Sequence, residues 1–200
     1  MSEEIFPQNN NPDSFSLWKF FAELSKTVLI VVALVYITRG FFLQPFIVDG
    51  ASMEPKLHTN DYLLVDKISY RFTQPKRGDV IVFKYPNDTS VNYVKRVIGL
   101  PGETIRIDNG KVYLINSANP QGLLLNEPYI NNSALTLLSD GQTKEDFPVP
   151  ADNYFVMGDN RPESSDSREW SYLPKKDVIG RVFLRAYPVE QISTFTDPTY

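Results

Sequence analysis

The sequence has no cysteine and a single histidine, His58. The first absence excludes disulfides, thiol catalysis and cysteine-based zinc sites. The second leaves no set of residues with metal-ligand spacing, so no metal is expected. Nor is there an excess of basic charge. Twenty Lys and Arg face 24 Asp and Glu, a net charge of -4, which argues against a nucleic-acid partner. No internal repeat is visible, and no helical pattern of any length follows residue 45.

What is present is enough for one core. The chain has 200 residues, 42% of them hydrophobic, which suits one domain of ordinary size. Ten glycines and 15 prolines punctuate it in the manner of many short strands joined by turns. Residues 1–16 read as a polar, disordered tail. Residues 17–38 read as a transmembrane helix. The uncharged run Thr27–Thr38 would give only about 18 Å of helix, too short for a ~30 Å hydrocarbon core. Extension back to Leu17 supplies the length and takes in Lys19, Glu23 and Lys26. Glu23 and Lys26 can pair on one helix face, Lys19 can snorkel, and Trp18 and Tyr36 sit where aromatic belts lie. The basic residues are split between Lys19 and Lys26 before the core and Arg39 after it, so charge leaves the orientation open. The alternative is a buried helix of a soluble domain.

After Pro45 the pattern changes to period-two alternation. Tyr62–Val65, Val80–Phe83, Tyr93–Ile98, Tyr154–Met157 and Val178–Leu184 read as strands. Thr104–Ile107 and Lys111–Ile115 flank Asp108-Asn109-Gly110, a hairpin signal. Residues 116–147 read as loop. The expected fold is mainly β: an N-terminal transmembrane helix, then an antiparallel β catalytic domain over 39–107 and 150–190. A small inserted lobe is expected over 108–149, and a C-terminal tail over 191–200.

Ser52 lies in Gly50-Ala51-Ser52-Met53-Glu54-Pro55. A serine becomes a nucleophile only when a base takes its proton. His58, six residues on, is one candidate base, but no carboxylate is evident to orient it. Lys95, in Tyr93-Val94-Lys95-Arg96-Val97, is the other. A lysine with the usual pKa of ~10.4 is neutral about once in 2,500 molecules at pH 7, a handicap of ~4.6 kcal/mol. Burial among apolar side chains removes part of that handicap. On a strand, Lys95 shares a face with Tyr93 and Val97 while Val94 and Arg96 point the other way. An inward Lys95 beside an outward Arg96 is therefore expected. The plain alternative is a turn serine and an ordinary strand lysine.

Four segments in order, GASMEP, RGDVIVFKYP, YVKRVIGLPGE and GDNRPESSDSREW, resemble the bacterial type I signal peptidases, or leader peptidases. The resemblance covers residues 40–107 and 154–184 and the hydrophobic segment before them. It implies Ser52 as acylating nucleophile, Lys95 as general base and Ser164 as the hydroxyl that orients the lysine amine. It implies structural ion pairs of Asp166 with Arg168 and of Asp159 with Arg96; Asn160 and Arg161 belong to the same motif and are assigned no chemical role. Some members carry an oxyanion-hole serine two residues before the nucleophile. That position here is Gly50, so the Ser52 backbone amide must carry more of the stabilisation. Two shallow apolar pockets for small substrate residues would use Phe46, Val48, Met53, Leu57, Leu63, Val82, Tyr93 and Val94.

The implied partners are the signal peptides of preproteins, the lipid bilayer and the export machinery. No cofactor is implied. The implied location is a bacterial plasma membrane, or a thylakoid membrane where the source has one, with the catalytic domain extracytoplasmic. Two rivals stand beside this reading. One is a self-cleaving repressor-type peptidase, which would need a DNA-binding domain where this chain has its hydrophobic segment. The other is a membrane-tethered β scaffold without activity.

Overall fold

The computed structural model describes residues 17–41, 43–130, 135–138 and 141–195, with side chains of 36–41 left aside. The expected tail at 1–16 lies outside these residues. The chain divides into two compact units, Met1–Gly40 and Phe41–Tyr200. The described part of the first is helix α1, Leu17–Phe41, whose last residue falls in the second. From Leu17 to Val35 every residue of α1 is exposed, Trp18 at 82% and Leu29 at 71% among them. Its three early charges, Lys19, Glu23 and Lys26, interrupt the apolar sequence. Among the described residues, no helix is long and apolar enough to cross a membrane.

The second unit is β-rich and antiparallel throughout. In chain order its strands are β1 (Leu43–Ile47), β2 (Tyr62–Asp66), β3 (Val80–Tyr85), β4 (Asp88–Gly99), β5 (Thr104–Asp108) and β6 (Lys111–Ile115). They continue with β7 (Leu123–Leu124), β8 (Lys144–Pro148), β9 (Asn153–Met157), β10 (Leu173–Pro174), β11 (Val178–Tyr187) and β12 (Ser193–Thr194). One sheet runs β1-β2-β11-β3-β4-β9-β10, with β12 on β11. The other runs β7-β6-β5-β8. The helices after residue 45 are single turns, among them α2 (Ser69–Phe72) and α3 (Ser167–Trp170).

Alternation found most of these strands because their inward side chains are branched or aromatic. The β5–β6 hairpin turns at Asn109 and Gly110, whose φ values are 49° and 78°, the left-handed pair that a two-residue hairpin requires. The stretch 116–147 is not all loop. It contains β7 and most of β8, and β8 pairs along the whole of β5. The sequence of β8, Lys-Glu-Asp-Phe-Pro, offers one large inward group, Phe147, so it is a strand by virtue of its partner rather than its pattern.

Three apolar clusters hold the unit together. Ile98, Ile105, Ile107, Val112, Phe147 and Phe155 join the two sheets. Val48, Met53, Leu57, Leu63, Val65, Val82 and Val182 pack under the segment that carries Ser52. Ile81, Phe83, Val97, Tyr154 and Val156 form the third. At roughly 1.5–3 kcal/mol per fully buried large side chain, the second cluster anchors a segment with little regular structure of its own.

Candidate active site

Strand β4 is the organising element. Its twelve residues pass from an exposed first half to a buried second half. On one side β3 pairs with it nearly end to end. On the other, β9 pairs with Arg96, Val97 and Gly99, so among the described residues the edge from Asp88 to Lys95 has no strand partner there. Ser52 sits across from this free edge, in the connection between β1 and β2. Met53 and Leu57, 1% and 0% exposed, pin that connection to the core. Gly50 has φ +108°, a conformation that side-chain-bearing residues rarely adopt. A Cβ at Gly50 would meet nothing within 4 Å, so backbone conformation rather than space favours glycine there. The Gly50 N–H donates to Thr59 Oγ1 at 3.1 Å, which directs it away from the cleft chemistry.

Lys95 Nζ lies 2.7 Å from Ser52 Oγ and donates to it. Lys95 is 4% exposed, and burial pushes its amine down to about 8. Asp166 and Asp159 oppose that shift and Arg168 assists it, but desolvation is the largest cause. The Tyr93 ring lies 5.1 Å from the amine, on the shared face expected from the strand period. His58 is exposed, and its backbone N–H donates to Asp61; the side chain bonded to Ser52 is the lysine.

Arg96 does not point outward. It is 3% exposed because Asp159, the Gly78 carbonyl and Tyr129 close over it on the other face of β4. Its guanidinium meets Asp159 through two bonds, 2.8 and 2.6 Å, and donates to the Gly78 carbonyl at 2.8 Å. Tyr129 stacks on it, 4.0 Å from the ring centre. The pair Asp166–Arg168 is also made, at 2.8 Å. Asp166 accepts from the Gly158 and Arg168 backbone as well, and so caps α3.

Ser164 is 8% exposed, and its Oγ has no hydrogen-bond partner among the described residues; it is not bonded to Lys95. Gly158 explains its position. A Cβ on Gly158 would overlap both Ser164 Oγ and the Ser52 carbonyl, so the absence of a side chain lets those two segments meet.

Asn160 and Arg161 hold the site together, which sequence reasoning missed. The Asn160 backbone N–H donates to the Ser52 carbonyl at 3.0 Å, and its side-chain amide donates to the Ala51 carbonyl at 3.1 Å. Arg161, fully buried, pairs with Glu127, donates to Thr136 and returns to the Gly158 carbonyl at 3.1 Å. Their place in the same motif as Asp159 was the only signal, because all their side-chain partners but the Gly158 carbonyl lie 25 to 109 residues away.

The cleft beside Ser52 has a volume of about 560 Å³. Phe46, Val48, Leu63, Val82, Tyr93 and Val94 line it. Met53 and Leu57 do not; they are core. A larger groove of about 600 Å³ runs past Tyr70, Pro75 and Lys175 and contains none of the expected site residues. Among the described residues no group of side chains could hold a metal ion.

A buried lysine bonded to a serine in an apolar cleft has the parts needed for acyl transfer. The family model for signal peptidase, peptidase S26, matches residues 21–187. A probable signal peptidase I-2 of Synechocystis is 36% identical over 98% of this chain and 87% of its own length. A signal peptidase I of Leptolyngbya laminosa is 40% identical over 86% and 83%, and one of Bacillus amyloliquefaciens 37% over 84% and 89%. The chain belongs to the signal peptidase family, peptidase S26, and is a hydrolase of that family.

Proposed function

We propose that this chain is a membrane-tethered serine endopeptidase that removes signal peptides from exported preproteins, with Ser52 as nucleophile and Lys95 as general base. The observation that carries the reading is the 2.7 Å contact between a buried amine and a hydroxyl. In the neutral amine the direction of that contact reverses, and Ser52 O–H donates to the Nζ lone pair. At a pKa of about 8 roughly one Lys95 in ten is neutral at pH 7. The handicap then falls from ~4.6 to ~1.4 kcal/mol.

In this mechanism Ser52 Oγ attacks the scissile carbonyl as Lys95 takes its proton. The tetrahedral oxyanion is stabilised by the Ser52 backbone N–H, with no hydroxyl from position 50. Lys95 then passes the proton to the departing amine, leaving an acyl-enzyme. Water gives a proton to the same amine, attacks the ester and frees the leader. Ser164, two residues from the ion-paired Asp166, serves to orient Lys95 when substrate packs the cleft, and Asp159 and Asp166 brace the loop that holds it.

The free edges of β1 and β4 suit an extended peptide added as a strand. Its alternate side chains would reach the wall formed by Phe46, Val48, Leu63, Val82 and Val94. Small apolar residues at alternate positions before the cut fit that wall. Helix α1 supplies the tether, its exposed apolar residues in lipid, Lys19 and the Glu23–Lys26 pair at the interface, and the catalytic domain on the extracytoplasmic side. Tethering concentrates enzyme and membrane-held precursor together. The export machinery is a further proposed contact.

The test is cleavage of a preprotein by the full chain in detergent. The expected product ends after the small-residue motif, and Ser52→Ala and Lys95→Ala both abolish it. Cutting that persisted in Lys95→Ala would discard the lysine mechanism. An uncut precursor with folded wild-type protein would favour the scaffold reading.

A further inference from the structure

The active-site cleft continues into a second one of about 490 Å³, and the two share Phe46 and Asn92. The second cleft is lined by Lys67, Arg71 and Lys84, with Gln44 as a polar neighbour. No carboxylate lines it, although the chain as a whole is acidic. Among the described residues the three cations form no salt bridge.

The strand register relates this basic cleft to the apolar wall. Val82 pairs with Val94, and Lys84 pairs with Asn92. Residues two apart on a strand share a face, so Lys84 and Asn92 are the next step beyond Val82 and Val94. An extended peptide lying along β4 advances by about 6.6 Å for the same two residues. A substrate whose small residues lie at the first and third positions before the cut would therefore present its fifth to Lys84, Arg71 and Lys67.

We propose that this basic cleft is a third substrate subsite, one that selects an acidic side chain at the fifth position before the cut. It rests on the signal-peptide reading above and adds a charge preference to it. Lys84 lies nearest the register position, on the strand that pairs with β4. Arg71, at the end of α2, is exposed, as Lys84 is, while Lys67 is half-buried. With three cations and no competing acid, an Asp there gains attraction and a Lys meets repulsion. The preference acts through exposed charges, so salt weakens it.

The test uses the full chain in neutral detergent and three preproteins that differ only at that position, carrying Asp, Asn or Lys. The expected kcat/KM ratio of Asp to Lys is about tenfold at low salt, shrinking at 0.5 M NaCl. In the Arg71→Glu/Lys84→Glu double variant the ratio should invert in favour of Lys. Circular dichroism checks that this variant is folded, and Lys84→Gln, which should reduce the ratio without inverting it, serves if it is not. Equal kcat/KM for all three preproteins would overturn the subsite. So would a preference that the charge reversal leaves unchanged. A preference that appears only on adding vesicles of anionic phospholipid would also overturn it, placing lipid phosphate in the cleft instead. Cleavage of all three by wild type, lost in Ser52→Ala, keeps these outcomes separate from a failure of the peptidase reading itself.

Discussion

Lys95 and Arg96 are neighbours in sequence, equally buried, and treated in opposite ways by the fold. Arg96, on one face of β4, meets a carboxylate through two bonds, a carbonyl and an aromatic ring. Lys95, on the other, meets a hydroxyl and the edge of a cleft. An arginine keeps its charge at any ordinary pH and suits the fork geometry of a carboxylate, whereas a lysine can give its charge up. The pairing of Arg96 makes it structural. Among the described residues no carboxylate is bonded to the Lys95 amine, which leaves it available for the proposed role as base.

The comparison can be broken most sharply through activity. Ser52→Ala and Lys95→Ala should each lower kcat/KM by about 10³-fold or more. Lys95→Arg should be as inactive as Lys95→Ala, because a guanidinium cannot shed its proton. Recovery of activity in Lys95→Arg, read by precursor cleavage, would refute the contrast.

Removal of Arg96 should cost stability instead. Arg96→Ala strands Asp159 without its partner in a buried site, a loss of about 3–5 kcal/mol. Denaturant unfolding measures it, and a loss below about 1 kcal/mol would show the pair to be solvated.

Lys95 should behave in reverse. Its folded-state pKa is lowered, so the unfolded chain binds more protons between about 8 and the ordinary lysine value. Stability should therefore rise with pH across that window. Below pH 8 the cost of keeping Lys95 charged is at most about 3 kcal/mol. Lys95→Met should thus be the more stable protein at pH 7, by up to that amount, with the gap closing by pH 10.5. Cleavage rate should rise along a limb centred near pH 8 in wild type. A flat profile to pH 9 would dismiss the titrating amine.

Smaller effects separate positioning from chemistry. Asn160→Ala frees the Ala51 carbonyl while keeping the backbone N–H bond to the Ser52 carbonyl, and should lower kcat about tenfold with little change in KM. An equal loss in KM would assign Asn160 to substrate binding. Arg106→Ala, which breaks an exposed pair with Asp146 in the second sheet, should leave the melting temperature within its scatter.

Much of this protein was legible from local pattern. Strands with branched residues in alternation, the Asn109-Gly110 hairpin and the placing of Ser52 in a turn follow from short-range rules. Ser52 and Lys95 were singled out by the four segments that resemble type I signal peptidases; a turn serine and one of many lysines do not by themselves exclude the plain alternative. Strand β8 was not legible, because one phenylalanine makes no pattern and its ladder with β5 supplies the structure. Met53 and Leu57 looked like pocket residues, yet the turn after Ser52 rotates them into the core. Asn160 and Arg161 could not be read at all, since a polar residue's role depends on which carbonyl or carboxylate it meets.

By itself the sequence determined the inventory: a serine without a histidine triad, two adjacent cations and the alternation that puts them on opposite faces. Only the tertiary structure decided which cation is paired and which is desolvated. The physical reason is distance along the chain. Ser52 is 43 residues from Lys95, and Asp159 is 63 from Arg96. The solvation and the partner of a charge are set by whatever packs over it, and that is chosen when the sheets close rather than within any short stretch of chain.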